Sequence, residues 1–191
     1  AVTTTVGGIG SVSITAASVG SGDLTANITS KTGIAGTIGV ADELAANITA
    51  QDGVLGAITI GGSMTAGTIS ASATVNTDAD ITSITIAKGI SGGTIAAEDA
   101  IGSITVTAGG VSGATMTSIG SITGALSVGG SLASAVTTTV GGIGSVSITA
   151  DPASVGSGDL TANITSQTGI AGTIGVADVL NATITATTGN I

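Results

Sequence analysis

The chain contains no Phe, Tyr, Trp, His, Cys or Arg, a single proline, and only two basic residues, Lys31 and Lys88. Each absence excludes something. Aromatic rings are the largest fillers of an ordinary core, so this interior must be filled by aliphatics alone, which suits a thin body. Without cysteine there is no disulfide framework and no thiol nucleophile. Without histidine there is no side chain that ordinarily titrates near neutral pH, and without arginine no guanidinium to clamp an oxyanion. No run of 18 apolar residues occurs, which excludes a membrane-spanning helix. A membrane barrel would want aromatic girdles, and there are no aromatics.

Charge of either sign is sparse, and what there is is acidic: 11 carboxylates against 2 lysines, a net charge of −9. Such a surface repels nucleic acid and anionic membranes, so neither nucleic acid binding nor membrane insertion is expected. The opening AVTTTVGGIG lacks the charged and apolar regions of a signal peptide. Either a signal has been removed or the chain is a window from a longer one.

What remains is 33 Gly, 34 Thr and 22 Ser among Ala, Ile, Val and Leu. The β-branched excess favours strands. The sequence is also internally copied. Residues 1–16 recur unchanged at 135–150, and 17–30 recur at 153–166 after an insertion of Asp151 and Pro152. Similarity continues from 32–42 to 168–178 and then fades, so residues 1–134 are one long repeat and 135–191 part of a second. The Asp-Pro insertion marks a loop that tolerates a change of length. Lys31 becomes Gln167 and Glu43 becomes Val179, as solvent-facing positions would. Ile28, Ile34, Ile38, Val40, Leu44 and Ile48 are retained as Ile164, Ile170, Ile174, Val176, Leu180 and Ile184, as core positions would be.

A shorter period lies inside the long one. Related segments begin at Ile9, Ile34, Val54, Ile81, Ile101, Ile119, Ile143, Ile170 and Ile191, which places six coils averaging about 22 residues in each long repeat. Each coil reads as two strands. One resembles I-x-x-I-x-I, as in ITSITI at 81–86, where Ile84 and Ile86 share a face and Thr85 points away. On this reading Ile14, Ile38, Ile58, Ile84 and Ile104 form one buried column, with Val40, Ile60, Ile86 and Val106 in or beside it. The other strand puts Ile28, Ile48, Ile69, Ile95 and Met116 in a column beside the small residues Ser30, Ala50, Ala71 and Ala97. Turn signals separate the strands at 31–33, 51–53, 76–80, 88–89, 98–100 and 109–110. The expected fold is therefore all-β: one continuous parallel β-helix over 1–191, of about eight coils, right-handed by the crossover rule. A β-sandwich would also alternate strands and turns but needs no such period, and a disordered chain would not keep Ile and Val in phase.

Residues able to carry chemistry are few. Asp78 with Asp80, or Glu98 with Asp99, would be the carboxylate pair of a polysaccharide-acting β-helix enzyme. They lie in turns without an aromatic sugar platform, where solvated corner charge is the simpler reading. Asp52, Asp78, Asp80, Glu98 and Asp99 fall in similar turns of successive coils and are the candidate Ca²⁺ ligands. No organic cofactor is expected. Asn27, Asn47, Asn163 and Asn181 stand in N-x-T sequons, which read either as glycosylation acceptors or as an exposed polar ladder. Outward T-x-T pairs at Thr105 with Thr107, Thr137 with Thr139 and Thr183 with Thr185 suggest an ice-binding face, interrupted at Gly39, Gly61, Ala87 and Ala125.

With its I-G-S-I-T-V type strands filled by Gly, Ser, Thr and Ala, the whole chain resembles the giant repetitive β-solenoid surface proteins of microbes. These include filamentous adhesin stalks, autotransporter-like passengers and extracellular fibre proteins. The resemblance implies export and a part in attachment or scaffolding, and assigns no site residue. The expected function is structural rather than enzymatic: an extracellular filament or cell-surface stalk. Neither Ala1 nor Ile191 reads as a natural terminus. The expected partners are therefore copies of the same unit, continued covalently or stacked end to end.

Overall fold

The I-x-I triplets dictate the local structure. Alternate β-branched residues put two aliphatics on one face of a strand and a small residue on the other. The computed structural model describes residues 1–18, 20–74 and 78–191 and forms these triplets into a parallel β-solenoid. The first sheet stacks nine strands: Val2–Thr3, Ile28–Ser30, Ile48–Ala50, Thr68–Ala71, Gly93–Ala97, Ala114–Ser118, Val136–Thr138, Ile164–Ser166 and Ile184–Ala186. The second stacks eight: Val12–Ile14, Ile38–Val40, Leu55–Ile60, Ile81–Ile86, Ile104–Val106, Ile122–Gly129, Ile143–Thr149 and Ile174–Val176. The described residues contain no helix, and so none long and apolar enough to cross a membrane. At the usual strand spacing, nine stacked strands extend roughly 38 Å.

Two corners join the sheets, held mostly by single-residue bridges, with Ser63–Met64 and Gly89–Ile90 forming a two-stranded pair at the first of them. One runs through Leu24, Leu44, Met64, Ile90, Val111, Leu132, Leu160 and Leu180. The other runs through Ile9, Ile34, Leu55, Ile81, Ile101, Ile122, Ile143 and Ile170. The simplest coil takes its inward residues at Leu24, Ile28, Ser30, Ile34, Ile38 and Val40 before reaching Leu44, a spacing of 4, 2, 4, 4, 2 and 4 residues. That is 20 residues, built as two ten-residue halves. The average is longer because some coils carry loops: Ile9 to Ile34 takes 25 residues, Met64 to Ile90 takes 26 and Leu132 to Leu160 takes 28.

The registers place most of the expected columns as read. Ile38, Ile58, Ile84 and Ile104 stack, and so do Ile28, Ile48, Ile69, Ile95 and Met116 beside Ser30, Ala50, Ala71 and Ala97. Ile84 and Ile86 are fully buried while Thr85 is exposed. Three positions are corrected. Ile14 pairs with Val40, so Val12, not Ile14, lies under Ile38. The isoleucine corner passes through Leu55 rather than Val54, and through Ile122 rather than Ile119, which is 48% exposed. In the turn at 76–80, Asn76 and Thr77 lie outside the described residues.

Hydroxyls in the core column are satisfied locally. Ser30 Oγ donates to the Gly33 carbonyl at 2.6 Å, Thr138 Oγ1 to that of Gly141 at 2.8 Å, and Ser166 Oγ to that of Gly169 at 2.8 Å. Gly33 and Gly169 have φ of 105° and 108°, where a side chain would be strained. Among the described residues no buried side-chain polar atom lacks a partner, as a folded interior requires.

Candidate functional site

The five candidate calcium ligands do not converge. Asp80 Oδ1 accepts the Ala100 N–H at 2.8 Å, one coil on. Asp52 Oδ1 and Glu98 Oε2 accept the N–H groups of Thr74 (3.2 Å) and Ala73 (2.8 Å), clasping one loop from the coils on either side. The backbone carbonyl of Asp99 takes the Gly120 N–H and the Ser118 hydroxyl, and Asp78 is exposed. Among the described residues no three acidic side chains are grouped to hold a metal ion.

These contacts belong to a wider pattern that the sequence reading missed. Asp23 accepts the N–H of Glu43, Asn27 that of Asn47, Asn47 that of Thr68, Asp159 that of Val179 and Asn163 that of Thr183, all at 2.9–3.0 Å. With Asp80, each acceptor stands one residue before an inward aliphatic: Leu24, Ile28, Ile48, Ile81, Leu160 or Ile164. There the side-chain oxygen supplies the acceptor that the strand ladder does not, so a backbone donor is not left unpaired. The signal was available as Asp or Asn directly before Leu or Ile. Three of the four sequon asparagines take part in this pattern. Asn27, Asn47 and Asn163 form part of this coil-to-coil bonding, with Asn27 and Asn163 exposed and Asn47 half-buried. Asn181 differs: it follows Leu180 and is exposed.

The threonine pairs separate onto different sheets. Thr105 and the interrupting Gly39 share an outward column of the second sheet with Thr59, Thr85, Ser127, Ser147 and Gly175. Thr137 and Thr185 lie on the first sheet, whose outward column runs Thr3, Thr29, Thr49, Ser70, Ala96, Thr117, Thr137, Thr165, Thr185. None of the four interrupting residues stands on that sheet. Ser70 Oγ bonds Thr49 Oγ1 at 3.3 Å along the column.

An open groove of about 700 Å³ lies over the corner at Ile122, Ile143 and Ile170. Its lining is Gly, Ser, Thr, Ala, Ile and one Asn, with no titratable side chain. Its Ser and Thr hydroxyls have no titratable side chain beside them in that lining to act as a general base. Exposed Lys88 places its Nζ 3.7 Å from Oδ1 of the half-buried Asp42, a surface pair of little energetic weight. No protein-family model, curated protein or solved structure matches the chain.

Proposed function

We propose that this chain is a structural rod, a segment of an extracellular filament or cell-surface stalk built from tandem solenoid repeats. One observation carries the reading: the long repeat equals a whole number of coils. Ile9 and Ile143, 134 residues apart, stand in the same corner column six coils apart. Val136 pairs with Ile164 as Val2 pairs with Ile28, and Val146 with Ile174 as Val12 with Ile38. Successive copies therefore continue both sheets without a change of phase, and an array of any length is one unbranched rod. The resemblance to microbial surface fibres supports a place outside the cell. Its partners are further copies of the unit, in the same polypeptide or stacked upon it.

The test is to express the 134-residue unit in one, two and four tandem copies and measure particle length by electron microscopy. Length should grow by roughly 29 Å per added copy at constant width, six strand spacings each. Copies that appear as separate beads, or that collapse into a globule, would sink the rod.

The first sheet favours a second reading, ice binding. Eight of the nine residues in its outward column carry a hydroxyl, repeated once per coil on a rigid backbone. The purified chain should then show thermal hysteresis that is lost on Thr117→Lys with Thr137→Lys and kept on Thr85→Lys. A wild-type chain without hysteresis ends this reading and leaves the rod untouched.

A further inference from the structure

The insertion that distinguishes the second long repeat does more than lengthen a loop. Asp151 is only 7% exposed. Its Oδ2 reaches back two coils to accept the Gly109 N–H at 3.0 Å, and its Oδ1 accepts the Ala153 N–H at 2.9 Å. The loop it anchors overhangs a hollow of about 220 Å³ lined by Gly109, Gly130, Ser131, Asp151, Ser154 and Ser157 among others. A buried carboxylate is costly unless its charge is balanced. Here two backbone N–H groups occupy two of roughly four acceptor positions that a carboxylate offers. Lys31 and Lys88 are the only lysines, and Lys88 Nζ is turned to Asp42 on an earlier coil. Ser131 Oγ accepts the N–H groups of Gly158 and Asp159 at 3.3 and 3.2 Å, which ties the far end of the loop to the hollow's wall and uses both acceptor positions of that hydroxyl.

From this combination we infer that the hollow beneath the 151–158 loop is a binding site for a small monovalent cation, with the Asp151 carboxylate as its counter-charge. A single carboxylate in a hollow whose lining also includes Ser112 and Ser154 suits the single charge of an alkali ion or ammonium. A divalent hard cation would ask for more carboxylates than the hollow contains. The first repeat supplies an internal comparison: at the corresponding point Ala16 is followed directly by Ala17, with no carboxylate.

The experiment uses the intact 191-residue chain. Its Tm and the Gly109 amide resonance are followed on titration with KCl, NaCl and NH₄Cl, and with choline chloride as a cation too bulky for the hollow. A saturating rise in Tm and a saturating Gly109 shift are expected with the small cations, which are told apart by their midpoints. Both should be absent with choline and in Asp151→Asn, and both should survive in Lys88→Gln. General screening of the net negative charge would act alike in all four salts and in Asp151→Asn, and would overturn the site. A response confined to Lys88→Gln would overturn it too, by making the lysine the native counter-charge. Stronger saturation by CaCl₂ than by any monovalent salt would refute the assignment to monovalent ions. Should Asp151→Asn fail to fold, deletion of Asp151 and Pro152 restores the first-repeat loop, and the response should be lost there as well.

Discussion

Ile84→Ala is expected to destabilise the fold by about 2–5 kcal/mol, the cost of emptying a fully buried aliphatic site. Ile84 is 0% exposed and stacks between Ile58 and Ile104 in the interior of the second sheet. Its neighbours cannot close over the missing atoms without drawing two coils together, and coil spacing is fixed by the hydrogen-bond ladder. Fraying cannot relieve the defect either, because coils continue on both sides. Thr85→Ala, one residue away on the outward face, should change stability by less than about 0.5 kcal/mol. Urea denaturation of both variants provides the measurement, with m unchanged in each if the unfolded state is unaffected. Equal losses at the two positions would show that the inward and outward faces have been assigned wrongly.

That contrast rests on an alternation visible in the sequence, which is why the fold was legible. I-x-I forces two side chains to one face whatever surrounds them. The phase between triplets was harder to read, because inward positions are separated by two, three, four or more residues and several stretches offer two aliphatics for one place. Val54 and Leu55 are adjacent, and only Leu55 turns inward. Ile119 and Ile122 are three apart, and the corner takes the second. Val12 and Ile14 both face the core, so alternation alone could not say which lies under Ile38.

The acidic residues were recognised as corner charge, but their partners were not. What decides whether Asp80 binds an ion or an N–H is the position of Ala100 one coil above it, and that depends on the register. Asp151 was the least legible of all. As a two-residue insertion it read as loop slack, whereas the structure folds its carboxylate onto Gly109, 42 residues earlier.

Glycine content was read as turn propensity, yet part of it serves the close approach of successive coils, and this gives the second large expected effect. Gly102 follows Ile101 at the isoleucine corner, where its N–H bonds the Ile81 carbonyl at 2.8 Å. A Cβ on Gly102 would be driven onto the carbonyl oxygen of Thr82 in the coil below. That oxygen is backbone, so no rotamer change relieves the overlap, and φ at Gly102 is not in the left-handed region. Gly56 meets the Gly36 carbonyl, and Gly144 that of Gly124, in the same way. Gly102→Ala should therefore cost about 3 kcal/mol, at the upper end of overpacking, since relief requires prising two coils apart. Gly39 is the control. It lies in the strand Ile38–Val40, a Cβ added there would have nothing within 4 Å, and its φ is also outside the positive region. Gly39→Ala should be neutral or stabilising by about 0.5 kcal/mol, because glycine inside a strand gives up more backbone entropy on folding than alanine does. Denaturation midpoints of the two variants decide the point. If Gly102→Ala is as well tolerated as Gly39→Ala, the coils are not held at the separation that the glycine column implies.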